Sequence, residues 1–387
     1  ILLRAGLRRV GIPPLVGFVL LGFLLRAVGD QTGFLTPQVH NIFELLAKLG
    51  VVVLLFRVGL ESNLAGLLGQ LRRASYVWLG NVGLSLVLGY LVARHVLSLS
   101  LVQGCFVAIA LTATSVGISV AVWQDKDRLN TASGELLVDV AEMDDISSVV
   151  LMVVLFAVAP TLRSGDGNIV LPALRVTALT LLKLFVFGGF CAMLAIYVER
   201  PFTRWTKRIE RPPDPMLTLV GVGFIIAALA GAFGFSVAIG GFFAGLVFSS
   251  DPAAVKMETA YTSIYDLLAP FFFIGIGLRI APEAVSSGVL WGSILLAVAI
   301  VAKLLGTSGP ALVSMSWRPA LLLGVSMVPR AEIAMVVMQQ GLSRGPWAVT
   351  HRSFAAVTFV VVCTCIGAPV IVRRLLRRRP QEESGEE

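Results

Sequence analysis

Apolar runs of about 17 to 25 residues recur from one end of this 387-residue chain to the other, and a helix of that length crosses a hydrocarbon core about 30 Å thick. This repetition limits the fold more than any other feature. In lipid every backbone N–H and C=O must find its partner within the chain, so only helices and closed barrels span a membrane. Barrel strands would alternate apolar with polar residues, and these runs do not. Charged residues make up only 14% of the sequence, against roughly a quarter in soluble domains. The chain reads as an all-α polytopic membrane protein. Spans are expected near 12–29, 41–60, 74–93, 99–123, 134–159, 176–198, 215–232, 235–249, 261–280, 288–313, 319–342 and 346–372, twelve helices. The opening ILLRAGLRRV reads as the tail of a further helix, thirteen in full.

A net charge of +8 could suit nucleic acid, but the basic residues sort by loop. The side holding Arg4, Arg72, Lys126, the 200–211 loop, Lys256, Arg318 and the RRLLRRR tail carries 19 of them, and the opposite side carries 7. By the positive-inside rule the richer side is cytoplasmic, and the C-terminus with it. The expected partner is therefore the lipid bilayer of the cytoplasmic membrane, and no nucleic acid. Lys48, Arg57, Lys183, Lys303 and Arg330 fall within or close to spans. Lys48 and Lys183 lie near span ends, from which long side chains snorkel; Lys303 and Arg330 sit deeper. Cys105, Cys191, Cys363 and Cys365 lie in apolar runs without zinc spacing and read as packing residues, so no cofactor is expected.

Two segments about 220 residues apart read alike: LVGFVLLGFLL at 15–25 and AIGGFFAGLVF at 238–248, with Gly17 and Gly22 matching Gly240 and Gly245. The helices that follow agree too, LLFRVGL at 54–60 with FFIGIGL at 272–278, which pairs Gly59 with Gly277. Repeat mates stand seven spans apart, and an odd separation inverts the topology. Inverted repeats build many secondary transporters, with the site at mid-membrane where discontinuous helices meet. Two interrupted spans fall into correspondence here. FVAIALTATSVGISVAV at 106–122 has a polar, helix-weakening centre at Thr112, Ala113, Thr114 and Ser115. LLLGVSMVPRAEIAMVV at 321–337 is broken at Pro329, which removes a backbone donor and disturbs the preceding turn. Crossing the two breaks would set exposed carbonyls and N–H groups around a small cavity, the setting that non-helical backbone needs at this depth.

The stretch AEMDDISSVVLMVVLFAV at 141–158 then puts carboxylates at the head of a span. Each acid near the membrane centre costs about 2.5 to 3.5 kcal/mol to insert. Asp144 and Asp145 diverge by about 100° around a helix, so they cannot face one spot. The geometry suggests a division, one aspartate turned to a basic residue and the other to a wet cavity; a purely structural pairing with Lys303 and Arg330 is the alternative. A carboxylate among hydroxyl and carbonyl oxygens suits a small hard cation. Protons and that cation compete for one site, and competition is already a mechanism of exchange if only the loaded site changes sides. Glu135, Asp139 and Glu142 share one helix face leading to Asp145, an acidic funnel on the cytoplasmic side.

Together, LLFRVGLESNL at 54–64, ALTATSVGI at 110–118, the Asp144–Asp145 pair one helix later, Lys303 in VAKLLGT, and PRAEIAMVV at 329–337 resemble bacterial Na+/H+ antiporters of the NapA and NhaA type, in the cation:proton antiporter superfamily. The resemblance implies an inverted-repeat antiporter fold with two crossed discontinuous helices, exchanging Na+ or Li+ for H+. It makes Asp145 the cation and proton carrier, with Na+ bound there, and Asp144 the partner of Lys303 in a salt bridge that opens and re-forms. Thr114 and Ser115 would contribute to the ion cavity, and Arg330 and Glu332 would neutralise the second break. It further implies a homodimer, an elevator-like cycle and, from the paired aspartates, electrogenic exchange. Two departures stand out: the family's first helix is nearly absent, and Glu142 stands where such antiporters carry an apolar residue. A tail ending QEESGEE without a nucleotide-binding domain speaks against the ligand-gated potassium efflux relatives.

On this reading residues 1–60 hold scaffold and first core helices, 61–160 the ion-transport core, 161–232 linker and scaffold helices, 235–372 the second repeat, and 373–387 a cytoplasmic tail. An enzyme is not expected. An intramembrane aspartyl protease needs two carboxylates facing one water from different elements, and adjacent acids on one helix do not. Nearer alternatives are K+/H+ antiport within the same superfamily and Na+-coupled symport of an organic anion, of the bile-acid type.

Overall fold

The computed structural model describes residues 13–61, 64–124, 126–129, 131–164, 170–199, 215–249 and 258–377. The expected first-helix fragment, the basic loop at 200–211 and the end of the tail lie outside the described residues. Within them all regular structure is helical, from α1 (Pro14–Thr32), α2 (Pro37–Glu61) and α3 (Leu64–Leu91) to α4 (Leu101–Thr112), α5 (Val116–Gln124), α6 (Ala132–Ser164) and α7 (Val170–Met193). The second half holds α8 (Pro215–Ala232), α9 (Val237–Phe248), α10 (Glu258–Leu278), α11 (Val285–Lys303), α12 (Trp317–Ser326), α13 (Glu332–Arg344) and α14 (His351–Arg377). Wider π turns continue α3, α7 and α11, the last over Leu304–Ser308.

Six helical stretches among the described residues are long and apolar enough to cross a membrane: Pro14–Thr32, Ala74–Val96, Ala132–Ser164, Val170–Met193, Pro282–Ala311 and His351–Leu376. Four more are apolar but shorter, Leu101–Thr112, Gly221–Ala232, Val237–Phe248 and Ser263–Leu278. The span expected at 99–123 divides into α4 and α5 because residues 113–115 leave the helix, Ala113 standing extended at φ −61° and ψ 129°. The span expected at 319–342 divides into α12 and α13 over 327–331, where Pro329 has no N–H to give and disfavours helix in the residue before it.

The helices group into two compact units. The first takes the described residues of Ile1–Gly17, Gly69–Leu151 and Ile280–Glu387, and the second those of Phe18–Leu68 and Met152–Arg279. The stretch expected to hold the second repeat, 235–372, is therefore shared, its first part in the second unit and the rest in the first.

Glycines set the spacing in the second unit. A Cβ on Gly59 of α2 would fall on the carbonyl oxygen of Phe242 in α9, and one on Gly245 of α9 would fall on that of Phe56 in α2. In α1 and α10 the same holds, Gly22 lying on the Ile274 carbonyl and Gly277 on that of Val19. These four are the glycines that the sequence pairs as repeat mates, Gly22 with Gly245 and Gly59 with Gly277. Swapping mates converts one contact into the other. Lipid offers no hydrophobic drive between helices, so close backbone approach through small residues supplies the packing. Phe187 of α7 anchors that helix, its ring 5.2 Å from those of both Phe233 and Phe243.

In the first unit, α4 packs on α13, α5 on α14, and α11 on α14, while the π turn after α11 packs on α12. Ser100 starts α4 with a capping box, its hydroxyl accepting from the Gln103 N–H and the Gln103 side chain accepting from the Ser100 N–H. The outer end of α4 is thus fixed, and the loss of helix falls at its inner end.

Gly245→Ala should lower the melting temperature of the detergent-solubilised protein, since forcing a methyl into packed backbone costs about 1 to 3 kcal/mol. Gly189→Ala, where an added Cβ meets nothing within 4 Å, should melt at or above the wild-type temperature. Equal melting points for the two variants would show that α2 and α9 are free to part.

Candidate functional site

Where α4 ends, its last carbonyls have lost their intrahelical donors. Two buried cations take them up. Arg330 Nε donates to the Leu111 oxygen at 3.0 Å, and Lys303 Nζ donates to the Thr112 oxygen. The other two guanidinium nitrogens of Arg330 reach the carbonyls of Val328 at 2.7 Å and Ala299 at 3.1 Å. Positive charge at a helix C-terminus opposes the negative end of its dipole. At the start of α5 the signs reverse. The Thr114 N–H donates to Asp144 Oδ2 at 2.9 Å. The Ser115 N–H donates to the Pro329 oxygen at 2.8 Å, so the two breaks meet backbone to backbone. Ser115 also donates its hydroxyl to Glu332 Oε2 at 2.9 Å, and Glu332 opens α13, where negative charge suits the positive end of the dipole.

Asp144 and Lys303 are both 0% exposed, with Nζ 3.7 Å from Oδ2. The other oxygen, Oδ1, accepts from Asn81 Nδ2 at 3.0 Å. Asn81 in turn accepts the Thr307 hydroxyl at 3.1 Å. Trp78 Nε1 donates to Ser147 Oγ at 3.0 Å, and that hydroxyl donates to the Asp144 carbonyl. Asp145 lies about 100° further round α6 and is half-buried. Exposure falls along the acidic face: Glu135 is exposed, while Asp139, Glu142 and Asp145 are half-buried. The hydroxyls of Thr114 and Ser148 are buried and take no hydrogen bond from or to the described residues. Buried polar atoms are almost always partnered, so oxygens of this kind beside a carboxylate network suit a small hard cation or an ordered water.

This constellation on a helical membrane fold can be compared with known proteins. The family model described as "Sodium/hydrogen exchanger, transmembrane" matches residues 1–378. The chain belongs to the sodium/hydrogen exchanger family. The exchanger is 28% identical over 378 residues to the Na+/H+ antiporter of Enterococcus hirae, covering 96% of this chain and 94% of that one. It is 26% identical over 368 residues to the Na+/H+-K+ antiporter GerN of Bacillus cereus, covering 94% and 90%. Its fold matches the solved structure of the sodium proton antiporter MjNhaP1 from Methanocaldococcus jannaschii with a TM-score of 0.67, at 16% identity over 97% of this chain and 95% of the other.

In this exchanger the structure joins Asp144, Thr114, Ser115, Lys303, Arg330 and Glu332 in one network of the first unit. Asp145, Glu142 and Asp139 follow the neighbouring face of α6. Arg330 and Glu332 both act at the breaks by separate routes, the arginine on carbonyls and the glutamate on the Ser115 hydroxyl. Lys48 pairs with Glu44 at 3.1 Å on the surface, and Arg57 lies over the Tyr265 ring, 4.6 Å from its centre. Cys365 donates its Sγ–H to the Arg330 carbonyl at 2.9 Å, a packing role that also closes the second break. Sequence reading missed Asn81, Thr307, Trp78 and Ser147. Asn81 was within reach of it, as a lone amide in the apolar run WLGNVGLSLVLG. Thr307 stands four residues after Lys303, and only the π turn aims it at Asn81.

Lys303→Ala would strand the Asp144 charge in the interior, a loss of about 3 to 5 kcal/mol for one partner of a buried pair. Adding Asp144→Asn should recover much of that loss. The melting temperatures of wild type, both single variants and the double variant form the cycle that checks it, and simple addition of the two losses would mean that the side chains do not interact.

Proposed function

We propose that this protein exchanges Na+ or Li+ for H+ across the cytoplasmic membrane, with Asp145 as the carrier and Thr114 and Ser115 as further oxygen ligands. One observation carries the reading: adjacent carboxylates in a sodium/hydrogen exchanger hold different settings. Asp144 is fully buried among Lys303, Asn81 and the Thr114 N–H, while Asp145 is half-buried at the end of an acidic row. A carboxylate in a site of low dielectric is neutralised by a proton or by an alkali ion. If only the neutralised site changes sides, an inward proton gradient drives the cation out. Glu142 and Asp139 lead cations from the cytoplasm toward Asp145.

The wider architecture of the proposal is an inverted repeat of twelve spans, crossed at the two breaks, with the cytoplasmic face marked by the basic loops. The Ser115 to Pro329 bond and the interchangeable glycine contacts of α1–α10 and α2–α9 support it. The division into two units supports an elevator-like cycle, in which the first carries the site and the second serves as scaffold in a homodimer. In that cycle the Asp144–Lys303 pair opens and re-forms, and exchange is electrogenic, two protons moving for each cation. K+ is the second reading, because the Bacillus cereus relative is named for Na+/H+-K+ antiport.

In proteoliposomes with an acidic interior, external Na+ or Li+ should release protons, with a change in membrane potential reported by a voltage dye. Asp145→Asn should abolish the response. Normal exchange by that variant would take the carrier role from Asp145, and a response to K+ alone would change the cation.

A further inference from the structure

The Asp144–Lys303 pair has an asymmetry that its two charges do not explain. Lys303 Nζ is 3.7 Å from Asp144 Oδ2, longer than a direct hydrogen bond, and its own close acceptor is the Thr112 carbonyl. Asp144 instead has two neutral donors at hydrogen-bond distance, the Thr114 N–H at 2.9 Å on Oδ2 and Asn81 Nδ2 at 3.0 Å on Oδ1. Asn81 is fully buried. Its amide is fixed in one sense, because its oxygen accepts the Thr307 hydroxyl at 3.1 Å, and the opposite sense would set that oxygen against the carboxylate.

The backbone is built to bring Thr307 there. The π turn Leu304–Ser308 begins directly after Lys303, and inserted π turns often mark functional positions in helices. Gly306 in that turn touches Gly80 of α3: a Cβ on either would stand 2.5 Å from the other's carbonyl oxygen. Two glycines therefore let the strands of backbone close until Asn81, next to Gly80, meets Thr307, next to Gly306.

We infer that Asn81, oriented by Thr307, is the positioning residue of Asp144, holding the carboxylate in place while Lys303 leaves and returns. This rests on the exchange reading above and deepens it. Lys303 is on a long flexible stem with an alternative acceptor, so it is the member of the pair that moves. The acid keeps its place on two neutral donors. Without the Asn81 donor the carboxylate loses its fixed orientation each time the pair opens, and the step that re-forms the pair slows. Cation binding at Asp145 is left alone.

The test measures exchange in proteoliposomes, per folded protein, for Asn81→Leu, Thr307→Val and Thr307→Ser. Asn81→Leu should lower the maximal rate about tenfold, the scale of one hydrogen bond to a charged group, with the KM for Na+ moving less than about twofold. Thr307→Val should lower the maximal rate in the same way and by less, and Thr307→Ser, which keeps the hydroxyl, should exchange at the wild-type rate. If Asn81→Leu fails to fold, the Thr307 pair decides. Equal rates for Thr307→Val and Thr307→Ser would overturn the inference, as would a raised KM with the maximal rate intact, which would place Asn81 at the cation. Wild-type vesicles that exchange no cation would overturn the exchange reading and this role with it, whereas an active wild type beside an equally active Asn81→Leu would overturn this role alone.

Discussion

Opening a helix within a membrane exposes backbone groups that lipid cannot satisfy, and burying a charge there strands it without water. Here each solves the other. The carbonyls released at the end of α4 and α12 are met by Lys303 and Arg330, and the N–H groups released before α5 are met by Asp144 and by the Pro329 carbonyl. Removing either set would leave the other unsupported. The pairing of signs follows the helix dipoles, with cations at C-terminal carbonyls and carboxylates at N-terminal N–H groups. That arrangement allows a backbone break and four buried or half-buried charges to persist at a depth where neither would stand alone.

The same arrangement leaves a definite charge count. In the network Asp144 and Glu332 are matched in number by Lys303 and Arg330. Asp145 adds a further carboxylate on the same helix, turned to a different face. On the proposed reading, Asp145 is the added charge that a proton or an alkali cation neutralises. A larger organic anion would find the wrong sign.

Much of this was legible in the sequence because insertion energy makes charges conspicuous. Asp144, Asp145, Lys303, Arg330 and Glu332 announce themselves in apolar runs, and Pro329 and the Thr112–Ser115 cluster mark where helices fail. The glycines at 22, 59, 245 and 277 stand out in the sequence as matched positions, and each lies where a Cβ would meet the backbone of a neighbouring helix. What escaped were neutral donors. Asn81 and Thr307 carry no charge and bear no periodic signature, and their meeting depends on a π turn and on two glycines in different helices. The partners of Arg330 escaped for a related reason: they are backbone carbonyls, which every residue carries, so composition cannot point to them. The division at Leu151 leaves no mark in the sequence, since α6 is continuous there and its apolar pattern has no break.

The two units also differ in the physics that holds them. In the second, helices meet through glycine, with carbonyl and Cα in direct contact and aromatic rings such as Phe187 filling the remainder. Such contacts are numerous, short-ranged and lost outright when helices separate, which suits a scaffold that keeps one packing. In the first unit the central contacts are hydrogen bonds and an ion pair, and Lys303 has a second acceptor close by, since its ammonium faces both an acid and a carbonyl. Bonds of this kind can change partners at small net free energy, because each group moves from one acceptor to another and is never left bare. A transport cycle needs that property at its site and the opposite property in its frame. Their contacts, as well as the placement of Asp145, support the division of labour proposed for the two units.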